Sequence, residues 1–171
     1  MGENGNCSAF DEMMATVESP VYLVTVTANG EKAGCLVGFA TQMSIDPLRF
    51  VVGLSRTNET YRVAEAARYL AVHVVGVEHL DLVQLFGGET GDEIDKFERC
   101  VWSEGPFGQP ILRDAGIWFV GEVLERLDVG GDHSCYVLEP LEGGSAGDGA
   151  AERGAWIAAS QVQDLHPGHE A

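Results

Sequence analysis

Lysine is scarce in this chain. Lys32 and Lys96 are the only two in 171 residues, and Lys and Arg together number 10 against 27 Asp and Glu, a formal charge of -17. Such a surface repels nucleic-acid phosphates and anionic lipid headgroups, which excludes both as main partners outside a local basic patch. Long apolar runs are missing as well. The longest uncharged stretch, Ala33 to Ile45, is too short and too polar to span a bilayer. The N-terminus, Met1 to Ser8, lacks the apolar segment of a secretory signal. Cys7, Cys35, Cys100 and Cys135 lie far apart with no C-x-x-C pair, so neither a zinc cage nor a redox dithiol is expected. These absences point to a cytoplasmic protein with reduced thiols, no membrane segment and no metal site. P-loop, H-E-x-x-H and G-x-S-x-G motifs do not occur, so triphosphatase, zincin and α/β-hydrolase chemistry lack support.

What is present suits one globular core. Hydrophobic residues make up 45% and charged residues 22%, and a chain of this length buries a core without covalent staples. The charge is uneven, however. Arg49, Arg56, Arg62 and Arg68 share twenty positions with two acids, Glu59 and Glu65; four charges against two give +2 there and leave -19 elsewhere. An otherwise acidic surface could accept one small phosphorylated ligand in this window.

The pattern is mainly β. Ser8 to about Val17 has helical spacing, opened by what reads as a capping box from Ser8 to Asp11. Val21 to Thr27 is β-branched and aromatic, Asn29-Gly30 signals a hairpin, and Gly34 to Ser44 reads as one strand carrying a bulge. Asp46-Pro47 marks a turn before a strand over Arg49 to Leu54. Val63, Ala64 and Ala67 then share a helical face, Tyr69 to Val75 is a strand, and His79 to Phe86 is helical up to Gly87-Gly88. An acidic connector from Glu89 to Val101 carries Lys96-Phe97. Ile117 to Leu127 and His133 to Leu141 are two long strands, followed by a glycine-rich loop over Gly143 to Gly149 and a short strand over Ala155 to Ser160. The expected organisation is a helical segment over 1–19, a six- or seven-stranded barrel with two or three short helices over 20–160, and a polar tail over 161–171. A doubly wound parallel sheet is disfavoured, since no G-x-G-x-x-G follows a strand.

Three segments carry polar chemistry. Ser55-Arg56-Thr57-Asn58-Glu59-Thr60 sits at a strand–helix junction, where free backbone N–H groups, hydroxyls and an arginine fork suit a phosphate. The same residues also describe an ordinary N-cap by Asn58 or Ser55 beside an exposed arginine. Gly38 to Ser44 combines small residues with Thr41 and Gln42, as a ligand lying against backbone requires, or a bulged barrel strand. In Gly131 to Tyr136, His133 suits a hydrogen-bonding residue at a site mouth; a Cys135–His133 nucleophile pair lacks an orienting third group. His73 reads as a satisfied core histidine, and His166 and His169 as solvated.

Taken in order, these segments resemble the flavin-reductase-like family of FMN-binding split β-barrels, over about Pro20 to Gly143. The resemblance rests on Thr41-Gln42-Met43-Ser44-Ile45-Asp46-Pro47, Ser55 to Thr60, Tyr69-Leu70-Ala71-Val72-His73-Val74, Asp95-Lys96-Phe97 and Gly131-Asp132-His133. It implies a Greek-key split barrel and an NAD(P)H-dependent flavin reductase, with hydride passing from nicotinamide to flavin. Thr41 and Gln42 would contact the ring or ribityl chain; Ser55, Arg56, Thr57, Asn58 and Thr60 would hold the phosphate. Phe97 would join the cofactor site, and His133 would lie by the flavin's reactive face. FMN is the implied cofactor, with FAD or a deazaflavin as alternatives and NADH or NADPH as co-substrate. A homodimer and an oxygenase receiving reduced flavin are the implied partners. The alternative function is binding of a flavin, deazaflavin or haem without nicotinamide turnover. Gly38-Phe39-Ala40, His73 and Asp46-Pro47-Leu48 depart from the family's usual Asn-Ser-Phe, Asn and second proline.

Overall fold

A computed structural model describes residues 7–89, 94–145 and 156–165. At the first hairpin Asn29 and Gly30 take φ values of 53° and 83°, the conformation a tight primed turn requires. They join β1 (Tyr22–Ala28) to β2 (Glu31–Val37), with Tyr22 opposite Val37 and Ala28 opposite Glu31. The single strand expected over Gly34 to Ser44 is in fact two. β2 stops at Val37, and β3 (Ala40–Ile45) starts after the exposed Gly38 and Phe39. The chain then turns through Asp46-Pro47, whose peptide is cis, into β4 (Leu48–Ser55). α2 (Glu59–Ala64), β5 (Tyr69–Val74) and α3 (Leu80–Gly88) follow. β6 (Trp102–Glu104) and β7 (Pro110–Leu112) form a small separate ribbon that the sequence reading did not anticipate. β8 (Ile117–Leu127) and β9 (His133–Ser145) complete the main sheet.

Its seven antiparallel strands run in the order β2-β1-β5-β8-β9-β4-β3. β2 and β3 are therefore opposite ends of the ladder, yet only Gly38 and Phe39 separate them in the chain. A flat sheet would hold those ends about 29 Å apart, whereas three residue steps reach about 10 Å. The sheet must curl until its edges nearly meet, which makes it a barrel split between β2 and β3. Val24, Val26, Val52, Leu54, Leu70, Val72, Tyr136 and Leu138 fill the interior, which Val63 and Ala64 of α2 close together with Ala67 of the turn that follows. A second core lies outside, where Leu82, Val83, Leu85 and Phe86 of α3 meet Leu23, Phe97, Leu112 and Ile157. Neighbouring residues of β1 thus serve different cores, which explains its unbroken apolar sequence.

β9 runs four residues beyond the expected Leu141, to Ser145 and into the expected glycine-rich loop, because Gly143 and Gly144 leave room against Phe119 and Trp118. The final strand expected over Ala155 to Ser160 reduces to two isolated bridges, Gly76 with Trp156 and Pro20 with Ala158, before a helical turn over Ala159–Val162. α1 (Ser8–Thr16) is the expected first helix, but Cys7 rather than Ser8 caps it, without a side-chain bond, and none of its residues is buried. Among the described residues no helix is long and apolar enough to cross a membrane. The polar N-terminal residues to Asn6, part of the acidic connector (90–93), the remainder of the glycine-rich loop (146–149), His166 and His169 lie outside the described residues.

Candidate functional site

Pairing along β4 gathers the candidate residues. Val51 lies opposite Thr41, the Gly53 N–H donates to the Phe39 carbonyl at 2.7 Å, and Ser55 lies opposite His133. Segments far apart in sequence thus border about 13 Å of one strand. A Cβ on residue 53 would stand 3.1 Å from the Phe39 Cβ, so any larger residue would push Phe39 back by a few tenths of an ångström. Thr41 and Gln42 are exposed on the edge strand, and Gln42 Nε2 donates to the Ser44 carbonyl at 3.0 Å across a bulge. The Phe39 ring meets the His133 ring edge to face, with centroids 4.9 Å apart.

Beyond Ser55 the chain turns into α2. The Ser55 and Thr57 hydroxyls lie 3.1 Å apart and face outward. Asn58 is the N-cap, its Oδ1 accepting from the Thr60 N–H at 3.0 Å, so the ordinary capping role is realised. The Thr60 hydroxyl points away from this surface: it is fully buried, with no nitrogen or oxygen partner. It adjoins the Cys35 thiol, which burial pushes up to about 11. Arg56 is held by the β8–β9 hairpin. Its N–H donates to the Asp132 carbonyl at 3.0 Å, its Nε to Ser134 Oγ at 3.3 Å, and its terminal nitrogen to Asp128. Asp128 and Ser134 were not singled out from the sequence; only strand register brings them here.

His133 Nδ1 lies 2.8 Å from Asp132 Oδ1, a contact that lowers the Asp132 carboxyl below its ordinary range. With the carboxylate accepting from Nδ1, Nε2 is left for other contacts. Cys135, two residues on, shares this strand face. Phe97 stands apart from the β4 track. Its ring is buried in the second core against Phe86 and Trp102, although it borders an open cleft of about 400 Å³ that also reaches Glu59, Glu31 and Lys32. Neighbouring Lys96 is buried too, donating to the Gly34 and Phe86 carbonyls at 3.2 and 3.1 Å; burial lowers its pKa. His73 is the core histidine anticipated, Nδ1 donating to the Leu23 carbonyl and Nε2 accepting from the Leu112 N–H.

Curled sheet, glycine-lined strand edge and hydroxyl–guanidinium turn together define a split-barrel protein with a surface cradle whose donor set fits a phosphorylated ligand. A family model described as flavin reductase like domain matches residues 14–162, and the chain belongs to this family. It is 32% identical, over 76% of its length and 74% of the relative's, to FMN reductase (NADH) RutF 2 of Rhizobium rhizogenes. The reductase component of a flavin-dependent trigonelline monooxygenase from Acinetobacter baylyi is 24% identical over 67% of this chain and 37% of its own. Among solved structures, a flavin reductase domain protein from Arthrobacter sp. FB24 superposes with a TM-score of 0.74 at 26% identity, covering 88% of this chain and 94% of that one.

Proposed function

We propose that the protein is an NAD(P)H-dependent flavin reductase that uses FMN, with NADH as the donor its relatives' names favour. The observation that carries this reading is the register of β4, which lines up the phosphate-suited turn and Gly53 along one strand, with Thr41 of β3 on one side and His133 of β9 on the other. Bound flavin supplies the two-electron acceptor for hydride, and the protein supplies binding and orientation. Ser55, Thr57 and Arg56 offer the phosphate donors, while Asn58 and Thr60 act by fixing the turn through the cap between them. Thr41 and Gln42 present polar groups to the ring or ribityl chain. His133, oriented by Asp132, stands at the reactive end, with Phe39 beside it limiting water. Phe97 borders the neighbouring cleft rather than the β4 edge. Exposed Met43, Ile45 and Leu48 on the β3–β4 hairpin form an apolar face suited to a second copy of the chain. An oxygenase is the acceptor that the monooxygenase reductase component suggests, and the cytoplasm is the compartment where nicotinamide would supply it. The barrel over 20–160 is the working unit in this reading, with the 1–19 helix and the 161–171 tail appended.

Anaerobic spectroscopy tests it. Protein with stoichiometric FMN should show flavin absorbance that NADH bleaches in a protein-dependent reaction. Flavin bound but unbleached by NADH or NADPH would leave a binding protein, and no flavin bound would remove both readings.

A further inference from the structure

We propose that Asp128 competes with the flavin phosphate for Arg56 and thereby keeps FMN exchangeable. This rests on the reading of the Ser55–Asn58 turn as the phosphate seat. Three contacts from the β8–β9 hairpin fix Arg56, and they differ in kind. The backbone bond to the Asp132 carbonyl and the bond from Nε to Ser134 Oγ set where the guanidinium lies without cancelling its charge. Asp128 supplies the direct opposing charge, while the Asp132 carboxylate, held by His133, adds a longer-range Coulombic attraction to Arg56.

The Asp128 carboxylate does not depend on Arg56 for its place. The same oxygen accepts the Gly130 N–H at 2.9 Å, within a turn that Gly130 closes at a φ of 83°. A phosphate arriving beside Ser55 and Thr57 therefore meets an arginine already paired, next to a fixed negative charge. It must share or displace that partner, and the carboxylate repels it meanwhile. Both effects lower affinity for a phosphorylated flavin, and neither acts on the uncharged ring. With side-chain exposures of 64% for Asp128 and 33% for Arg56, the pair is open enough to exchange partners. The consequence suits a protein that hands reduced flavin on: the cofactor behaves as a substrate that leaves, not as a resident group.

Titrations of FMN and riboflavin, followed by flavin fluorescence, distinguish the possibilities. Asp128→Asn keeps an oxygen for Gly130 and removes the charge. It should bind FMN about three- to tenfold more tightly, the scale of an exposed ion pair plus relieved repulsion, with riboflavin affinity unchanged. Arg56→Ala should weaken FMN alone, and in the double variant the gain from Asp128→Asn should vanish. Unchanged or weaker FMN binding by Asp128→Asn, with Arg56→Ala still weakened, would overturn the competition and leave the phosphate seat standing. Equal changes for FMN and riboflavin would make Asp128 a turn-packing residue and also overturn it. FMN binding indifferent to Arg56→Ala would remove the phosphate seat itself.

Discussion

His73 commits both ring nitrogens to backbone groups, tying β5 to β1 on one side and to β7 on the other. Full burial pushes its pKa down to about 4 from the ordinary 6.5, against a smaller opposing effect of the Leu23 carbonyl. Below pH 6.5 the unfolded chain takes up a proton that the folded one refuses. Stability present at neutral pH is therefore lost as pH falls from 6.5 towards 4, by about 3 kcal/mol in all. Thermal melts across that range should show the loss in the wild type and a clearly shallower one in His73→Asn, whose amide can still reach the Leu23 carbonyl and takes up no proton in this range. Parallel pH slopes would contradict this. Isolated inside an apolar strand, His73 was legible from the sequence as a core residue, whereas its two partners depend on folding. The arginines show the same limit. Arg49, Arg56, Arg62 and Arg68 form a basic window in the chain, but folding delivers Glu139, Asp128, Glu31 with Glu59, and Glu122 to them. Arg56 and Asp128 are 72 positions apart, a distance that only the β4–β9 register closes.

Between elements, the seat of α3 on β2 depends on a single glycine. A Cβ at residue 34 would come within 2.6 Å of the Phe86 ring, which is buried and also packs against Phe97. Gly34→Ala should therefore destabilise the protein by about 1–3 kcal/mol, seen as a lower denaturation midpoint. It should leave the β4 edge intact, so FMN affinity under native conditions should hold. An unchanged midpoint would mean that α3 shifts freely on the sheet. Most elements were legible from β-branched runs and turn residues, including the long β8–β9 pair. The break between β2 and β3 was not. Residues 33 to 45 carry no charge and no proline, and of their two glycines Gly34 lies within β2, so nothing but Gly38 beside an exposed aromatic marks the break. Likewise β6 and β7 are three residues each, too short for periodicity to register.

At the scale of the whole molecule, two pairings of β4 make the site. The β3–β4 hairpin register carries Phe39 opposite Gly53, β9 pairs the other side of β4 as far as Ser55 and His133, and the break at residues 38 and 39 lets β2 and β3 take opposite ends of the ladder. The order of the sequence motifs singled out segments that folding gathers along β4, while the buried Thr60 hydroxyl and the core position of Phe97 are consequences of packing that no motif carries. Within a net charge of -17, the phosphate-suited turn proposed at Ser55 is local, with its arginine shared. A crystal structure of the protein grown with FMN tests this most directly. The phosphate should lie within hydrogen-bond distance of the Ser55 and Thr57 hydroxyls and the Arg56 guanidinium, with the ring beside Thr41, Gln42 and His133. A phosphate seated instead in the cleft between Lys32 and Phe97 would contradict the account.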